Sequence, residues 1–439
     1  MIKNKISRFF VIFLVLTLVL GLVACDKNEE ENKKTSSLST SSNQDVASYD
    51  NNPTDTSSDD NTSDDAVQDN VSDESVNSNE AASSIITKTE KIPVVESSTS
   101  KKVVIKDKTS SIKTYTNKWG VYEMLKSYTN KGSKVTADEF LPSVGYMHLG
   151  KIKDTMFDSF VFLPSPTEEI GIEMDQKFIK SYIYDTLYRE NYNINALEEA
   201  TGKVKKTLGK KDYTVNVFLP LFRPLETVTE FGEYNGKKIN CSTEEGRLEA
   251  LKWFIDEHIK AFNSKKFKNL KLVGFYWFDE YAENKHYPLI QKMNDYIHSK
   301  NYITIWSPFF NAGGWGDWKL MKFDIATMQS NYFPATPEGL NAGGVDRLSI
   351  NAQYTEFKGM GMEMEASDFN TNAGIRGFKE TMQSMLANGR IDFVHMYYID
   401  NGPICVYQWY NHKSKYGQSV YHELHRFIKR TLKDDDIMF

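Results

Sequence analysis

The feature of this sequence that most limits its fold is a series of short apolar segments separated by stretches with helical periodicity. Alternation of buried strands with amphipathic helices predicts a parallel sheet, and eight such units favour an α/β fold of the closed (β/α)8 TIM barrel type over an open doubly wound sheet. The first gap lacks a helix, and the fifth offers only Trp315 to Met321. The strand candidates are Ser143 to His148, Phe157 to Leu163, Tyr213 to Leu219, Lys271 to Phe278, Tyr302 to Ser307, Phe323 to Gln329, Gly361 to Ala366 and Ile391 to Ile399.

These units occupy only part of the chain, because its composition changes sharply along its length. Residues 26–112 are rich in Ser, Thr, Asn and Asp, and Tyr49 is their only aromatic residue. Such a segment cannot bury enough apolar area to offset the entropy of ordering it. The sequence therefore predicts a disordered tether over 26–112 and a single barrel domain over 113–439.

The first 25 residues have the pattern of a secretory signal. Lys3, Lys5 and Arg8 precede an apolar run from Phe9 to Leu20, which is typical of a signal peptide. The last four residues, Leu-Val-Ala-Cys, resemble a bacterial lipobox, and this resemblance implies that Cys25 becomes the lipidated first residue. The alternative is a plain transmembrane anchor, since the run is not much shorter than a spanning helix. Both alternatives hold the remaining chain outside the membrane.

Charge and cysteine content exclude several other classes of protein. Much of the net charge of −6 lies in the tether, and no basic stripe indicates a nucleic-acid partner. Cys241 and Cys405 remain after Cys25, and they are either isolated apolar cysteines or one disulfide. Histidine spacing of the HxxxH type, a GxGxxG fingerprint and a GxSxG elbow are all missing. We therefore expect no metal and no cofactor, and a monomer.

In a barrel of this type the functional residues lie at the carboxyl ends of the strands. Acidic and aromatic residues dominate these positions here, and the fourth candidate strand runs directly into Asp279 and Glu280. The candidate substrate-binding residues are Tyr146, His148, Arg223, Trp277, Asp279, Trp306, Gln329, Asn331, Tyr332, Glu363, Tyr397, Tyr398 and Asp400.

Strand parity sharpens the choice among the carboxylates. Residues two apart in a strand share a face, so Glu363 and Glu365 point to the same side of the seventh strand. Two acids on a Met-rich strand cannot face the helix layer cheaply, and we expect both in the barrel lumen, with Glu365 nearer the mouth. Parity does not decide whether Glu280 or Asp279 faces inward.

Two carboxyl groups opposed across an aromatic pocket are what glycoside hydrolysis requires. One carboxylic acid protonates the leaving oxygen, and an ionised partner acts as nucleophile or base. A glutamate after strand four and another at the end of strand seven resemble the large clan of retaining barrel glycosidases. That resemblance implies that Glu280 is the acid/base and Glu365 the nucleophile. The clan generally has Asn where this chain has Asp279.

Four longer stretches resemble a particular family. They are VGYMHLGKIKDTMFDSFVFLP, GFYWFDE, MQSNYF and GMEMEAS, and they are similar to domain-of-unknown-function family 4855 of bacterial secreted and lipid-anchored proteins. The resemblance covers Trp119 to the C-terminus. It implies the fold and the domain boundaries rather than the reaction.

Each candidate residue also has a structural alternative. Glu280 is alternatively a helix-start acid, and Asp279 either contacts substrate or caps a helix. For Glu363 we favour a structural role, paired with Arg223 or a tyrosine hydroxyl. Trp306, Trp315 and Trp318 are either sugar platforms or core residues.

Two functions follow from these residues. The first is a lipid-anchored extracellular glycoside hydrolase, held at the outer face of the bacterial cytoplasmic membrane through Cys25, that acts with retention of configuration on a polysaccharide or cell-surface glycan. The second is a non-catalytic carbohydrate-binding lipoprotein on the same scaffold.

Overall fold

The computed structural model of the chain describes residues 120–129, 132–164, 174–333, 346–367 and 369–439. The predicted signal peptide, the tether and the boundary at residue 113 lie outside these residues and stay predictions. Within the described ranges, no helix is both long and apolar enough to cross a membrane.

Eight parallel strands close into a barrel, which confirms the predicted fold class. Their order around the barrel is β1, β4, β5, β8, β9, β10, β11 and β12, and β12 pairs with β1. Two short antiparallel hairpins, β2–β3 and β6–β7, lie outside the barrel. The strands are β1 (Glu123–Thr129), β2 (Gly145–His148), β3 (Lys151–Thr155), β4 (Ser159–Pro164), β5 (Val215–Leu221), β6 (Gly232–Tyr234), β7 (Lys237–Ile239), β8 (Leu270–Trp277), β9 (Ile303–Trp306), β10 (Ile325–Gln329), β11 (Gly361–Ala366) and β12 (His395–Ile399).

The first predicted strand was wrong. Ser143 and Val144 end a helix, and Gly145–His148 forms one arm of the β2–β3 hairpin that leads into β4. The true first strand is β1, whose polar residues Lys126, Ser127 and Thr129 interrupt the apolar pattern. Because the missed strand replaces the wrong one, β8 is still the fourth barrel strand and β11 the seventh. The correction also supplies the helix that the first gap lacked.

Helices cover the outside of the barrel, and side-chain caps mark where several of them begin. Thr136 and Glu139 form a capping box, and Thr243, Thr371 and Ser414 each accept a bond from a first-turn amide. The helices are α1 (Ala137–Val144), α2 (Gln176–Ser181, continued by a π-helical turn over Tyr182–Leu187), α3 (Ile194–Leu208), α4 (Glu244–Lys265), α5 (Tyr287–Ser299), α6 (Asp346–Lys358), α7 (Asn372–Ala387), α8 (Pro403–Tyr410) and α9 (Lys415–Ile428).

Alternation along the strands divides the buried residues into two cores. The larger core lies between strands and helices. The smaller one fills the lumen, as expected of a packed barrel interior. Its members are Val121, Met124, Val161, Leu163, Phe218, Val273, Tyr276, Ile303, Ile305, Ile325, Val394 and Met396.

The two cysteines of the barrel do not form a disulfide. Neither Cys241 nor Cys405 is part of a disulfide, and both side chains are fully buried. Burial raises the pKa of the Cys241 thiol to about 11. Of the two alternatives, isolated apolar cysteines are therefore the correct one.

Candidate active site

Glu280 lies on the lumen side of the barrel mouth. Its parity partner Tyr276 belongs to the lumen core, and the Glu280 Oε1 accepts a 2.7 Å hydrogen bond from Gln329 Nε2. Glu280 is half-buried. The next helical turn begins only at Asn284, with Glu283 as its N-cap, so the alternative of a helix-start acid for Glu280 is wrong.

Glu365 faces the same lumen from β11. Met362 and Met364 belong to the outer core, which leaves Glu363 and Glu365 on the inner face, as strand parity predicts. Glu365 is 4% exposed. Its Oε2 accepts bonds from Ser330 Oγ at 2.9 Å and from the Asn331 backbone N–H at 2.5 Å.

Two amide side chains connect the glutamates. Asn331 Nδ2 donates to Gln329 Oε1 at 3.0 Å and lies 3.5 Å from Glu365 Oε1, while the other end of the Gln329 amide holds Glu280. Asn331 adopts a positive φ of 48° just after β10, a conformation that asparagine tolerates better than most residues. The candidate acids from β8 and β11 are therefore brought together through β10.

Glu363 lies deeper in the lumen and has a cation for a partner. Lys126 Nζ on β1 donates to Glu363 Oε1 at 2.6 Å, and both side chains are at most 2% exposed. The Ser307 hydroxyl contacts Glu363 Oε2. The expected structural ion pair is thus present, but its partner is Lys126 rather than Arg223 or a tyrosine.

The electrostatics of the lumen raise the pKa values of Glu280 and Glu365. Burial and the neighbouring Glu363 raise the pKa of Glu365 to about 8. Burial also raises the pKa of Glu280, against the opposing charge of Lys126. For Lys126, burial alone lowers the pKa, but the attraction of Glu363 and smaller contributions from Tyr128 and Glu280 raise it above its ordinary value. The positive charge of Lys126 therefore acts on three carboxyl groups, and two of them, Glu280 and Glu365, keep their protons to a higher pH than usual.

Arg223 and Asp279 form an ion pair at the rim. Arg223 follows β5, and its Nε lies 2.6 Å from Asp279 Oδ2, with the two side chains 18% and 24% exposed. The Asp279 carbonyl accepts a 2.7 Å bond from Trp306 Nε1. Asp279 caps none of the described helices. It stands beside Glu280 at the mouth, and its predicted substrate contact stays a prediction.

Several aromatic candidates face away from the mouth. Trp277 and Trp306 are at most 1% exposed and pack in the outer core, where Trp306 stacks on Phe323. Trp315 stacks on Tyr354 in the same core, and Trp318 is 5% exposed. Their faces are covered by protein, so these four rings are core residues rather than sugar platforms.

Of the three candidate tyrosines after β10 and in β12, two are buried among protein side chains and one lies in the lumen. The Tyr332 hydroxyl donates to Glu380 on α7, and the Tyr397 hydroxyl contacts Glu123 at the amino end of β1. Both rings are buried. Tyr398, in contrast, is half-buried in the lumen, edge-on to Tyr128 with ring centroids 5.7 Å apart. Asp400 follows β12, half-buried, with a φ of 39°.

Tyr146 and His148 lie at the opposite end of the barrel. They belong to the hairpin that precedes the amino end of β4, where Tyr146 stacks on His425 at a centroid distance of 3.7 Å. His148 is exposed beside His422. Their assignment to the mouth was wrong because it followed from the wrong first strand.

Sequence reasoning missed two residues of the site. Lys126 was overlooked with β1, although the alternation of Met124, Lys126 and Tyr128 on one face signals a lumen strand. Ser330 was given no role because it lies between Gln329 and Asn331, and alternation along the strand predicts it on the opposite face. Among the described residues, no group of three His, Cys, Asp or Glu side chains is arranged to hold a metal ion.

Several solved structures with a similar chain path are glycoside hydrolases. The PgaB (BpsB) glycoside hydrolase domain from Bordetella bronchiseptica matches with a TM-score of 0.33 and 9% identity, covering 70% of this chain and 99% of that chain. A family 18 chitinase from Crocus vernus matches with a TM-score of 0.34 and 11% identity, covering 63% and 93%. A mutant tryptophan synthase α-subunit from Pyrococcus furiosus matches with a TM-score of 0.32 and 8% identity, covering 71% and 97%.

Scores this low carry no argument about activity, and the assignment of the barrel rests on its strand order. No curated protein shows significant similarity to this chain. A family described as a domain of unknown function, DUF4855, matches residues 123–426. This range spans the barrel from its first strand to its last helix, and the chain belongs to that family.

Proposed function

We propose that this chain is a lipid-anchored extracellular glycoside hydrolase that acts with retention on a polysaccharide or cell-surface glycan. The observation that carries the proposal is the convergence of Glu280 and Glu365 on the linked amides of Gln329 and Asn331. Neither carboxyl group forms an ion pair within the described ranges. Acids with raised pKa values and no ion-pair partner are typical of catalytic sites.

The chemistry requires one protonated and one ionised carboxyl group. The acid donates its proton to the glycosidic oxygen as the bond to the anomeric carbon breaks, and the second carboxylate attacks that carbon from the opposite face. Water then attacks the glycosyl–enzyme ester, and the first residue accepts a proton from this water. Glu280 as acid/base and Glu365 as nucleophile follow from their strands.

These roles set a condition on Glu365. A nucleophile must be ionised, whereas burial and the neighbouring Glu363 raise the pKa of Glu365 to about 8. The three hydrogen-bond donors around Glu365 favour its ionised form. With these roles, only the form with Glu365 ionised and Glu280 protonated is active, so kcat/KM is expected to rise and then fall with increasing pH.

The test is a screen of the full-length chain against polysaccharides and aryl glycosides, with Glu280→Gln and Glu365→Gln as controls. We expect hydrolysis of at least one substrate by the wild type and none by either variant. The anomer released first, followed by NMR, reports retention directly. Activity that survives both substitutions contradicts the proposal.

Azide distinguishes the two roles. With an activated aryl glycoside, azide restores turnover to an alanine variant of either residue by replacing its carboxylate. A glycosyl azide of retained configuration is expected from Glu280→Ala, and one of inverted configuration from Glu365→Ala. The opposite pattern exchanges the roles of the two glutamates.

One observation favours the non-catalytic alternative, a carbohydrate-binding lipoprotein. Glu365 is only 4% exposed, beneath Asn331, and a sugar must reach it for covalent chemistry. Binding of an oligosaccharide to the wild type without any hydrolysis supports this alternative.

The membrane anchor is proposed from the sequence of residues 1–25. Cells that express the full chain and are fed radiolabelled palmitate are expected to label it, and Cys25→Ala is expected to abolish the label. Label retained by the variant contradicts lipidation at Cys25.

A further inference from the structure

A cavity opens beside Glu280 on the side of β5. Its volume is about 250 Å³, and it is formed by the loops that follow β5 and β8. Tyr281 follows Glu280 directly, and Arg223 is held to Asp279, the residue before Glu280. The cavity therefore adjoins the segment that carries the candidate acid, although Glu280 itself is not one of its lining residues. Its lining residues are Arg223, Leu225, Glu226, Thr227, Tyr281, Glu283, Lys285 and His286.

Polar groups of the lining are left without partners. Arg223 uses only its Nε, for Asp279, and its two terminal nitrogens have no hydrogen-bond partner among the described residues. The same holds for the ring nitrogens of His286, although that side chain is 8% exposed. These nitrogens line the cavity, so they are available as hydrogen-bonding groups for a polar ligand.

The charges of the lining favour a neutral ligand. Lys285 pairs with Glu283 at 3.0 Å, and Glu226 lies 3.6 Å from Arg247. The carboxylates of Glu226 and Glu283 are more than half exposed at the rim, where they repel an anionic group. Burial and the neighbouring Arg223 lower the pKa of His286, so its ring adds no positive charge at neutral pH.

The size and surface of the cavity fit one sugar ring. Pockets for drug-sized ligands measure about 300–1,000 Å³, and this cavity is smaller. Tyr281 is half-buried and offers an aromatic ring. The hydroxyl groups of Tyr281 and Thr227 also have no hydrogen-bond partner within the described part of the chain.

We infer that this cavity is a subsite for one neutral, hydroxyl-rich sugar unit of a chain that extends from Glu280 past Tyr281. The inference rests on the proposed function, because that function places the cleaved bond of the glycan at Glu280. The terminal nitrogens of Arg223 donate to ring hydroxyls, His286 and Thr227 exchange hydrogen bonds with them, and Tyr281 covers an apolar face. Substrates long enough to reach the cavity gain affinity over shorter ones.

The test measures how binding depends on chain length. Neutral gluco-, manno-, xylo- and chito-oligosaccharides of two to six units, with oligouronates beside them, are titrated calorimetrically into full-length Glu280→Gln. Thr227→Trp fills the cavity in this background and Tyr281→Ala removes its ring. Tyr407→Ala, a similarly exposed tyrosine on α8 outside the lining, is the matched control.

We expect one neutral series to bind at least tenfold more tightly once its chain reaches the cavity. Thr227→Trp and Tyr281→Ala are expected to remove this dependence on length, and Tyr407→Ala to preserve it. The inference is overturned by a length dependence that survives Thr227→Trp, by tighter binding of oligouronates, or by no binding of any neutral series. Length-dependent binding without hydrolysis by the wild type overturns only the proposed hydrolase. Hydrolysis without length dependence overturns only the subsite.

Discussion

Both ends of the barrel hold carboxyl groups, but their partners differ. At the amino end, Glu123 contacts Arg430 and the Tyr397 hydroxyl, and lies 3.3 Å from His395 Nδ1. At the mouth, Glu280 and Glu365 accept hydrogen bonds from neutral groups alone, among the residues that the structure describes. A paired acid holds elements together, whereas an acid without a cation retains a perturbed pKa that chemistry can use.

Asp158 shows that a raised pKa alone does not mark a catalytic site. Burial raises its pKa to about 7, yet its oxygens accept the backbone N–H groups of Tyr122 and Glu123 and the Ser159 hydroxyl. These bonds fix the start of β1 against β4. What distinguishes the mouth is a pair of such acids from separate strands, joined by the amides of Gln329 and Asn331.

The largest loss of stability is expected from Glu123→Gln at the amino end. The substitution leaves Arg430 and the buried His395 without their carboxylate, and breaking a buried pair costs about 3–5 kcal/mol. Urea denaturation measures it, with exposed Glu199→Gln on α3 as the control. A loss no larger than that of the control contradicts a structural role for Glu123.

Lys126→Met tests the ion pair in the lumen. Removal of the lysine leaves Glu363 buried without a cation, and we expect a loss of about 3 kcal/mol or more in the free energy of unfolding. The double variant Lys126→Met/Glu363→Met is expected to recover most of it. If the double variant is no more stable than the single one, the pair does not act as a unit.

The raised pKa of Glu365 makes the free energy of unfolding of the chain depend on pH. Its pKa is raised from 4.5 to about 8, so the folded chain holds an extra proton between these values and its stability falls as pH rises through them. Glu365→Gln removes this dependence. The variant should therefore gain a few kcal/mol relative to the wild type between pH 5 and pH 9 in urea denaturation. A constant difference between the two proteins contradicts the raised pKa.

The smallest effect is expected from Ser330→Ala. It removes one hydrogen bond to Glu365, which favours the ionised carboxylate, so the pKa of Glu365 rises further, by about one unit or less. Carbon-13 NMR of labelled glutamate side chains follows this titration. Thr327→Ala removes a hydroxyl that bonds Ser307 instead and is the control. A lower pKa in Ser330→Ala contradicts the described hydrogen bond.

The barrel and its acidic mouth were predictable where residues follow a simple period. Parity put Glu363 and Glu365 on one face, and the cost of burying two acids against the helices put that face in the lumen. The apolar run into Asp279 and Glu280 indicated the end of a strand. β1 was not recognised, because its lumen face carries Lys126, whose cost is offset only by Glu363 on a strand far away in sequence. Such an ion pair is a tertiary contact, and local strand propensity does not predict it. The same error misplaced Tyr146 and His148.

Aromatic residues at strand ends were the least predictable. Trp306 directly follows the lumen residue Ile305, and Tyr332 directly follows Asn331 of the site. A shift of one residue at the end of either strand would therefore change the side on which the ring lies. The partners that fix them, Asp279 and Glu380, come from other strands and helices. A one-residue change of register reverses which side chains face the ligand.

The most direct measurement is the hydrolytic rate per folded molecule of Glu280→Gln, Glu365→Gln and Glu123→Gln on one substrate of the wild type. The folded fraction of each variant is determined by circular dichroism under the assay conditions. We expect the two variants at the mouth to lose roughly 10²–10⁴-fold or more in rate, and the variant at the amino end to keep the wild-type rate once its folded fraction is accounted for. Wild-type rates for the two mouth variants, or an equal loss in all three, contradict the assignment of catalysis to the mouth.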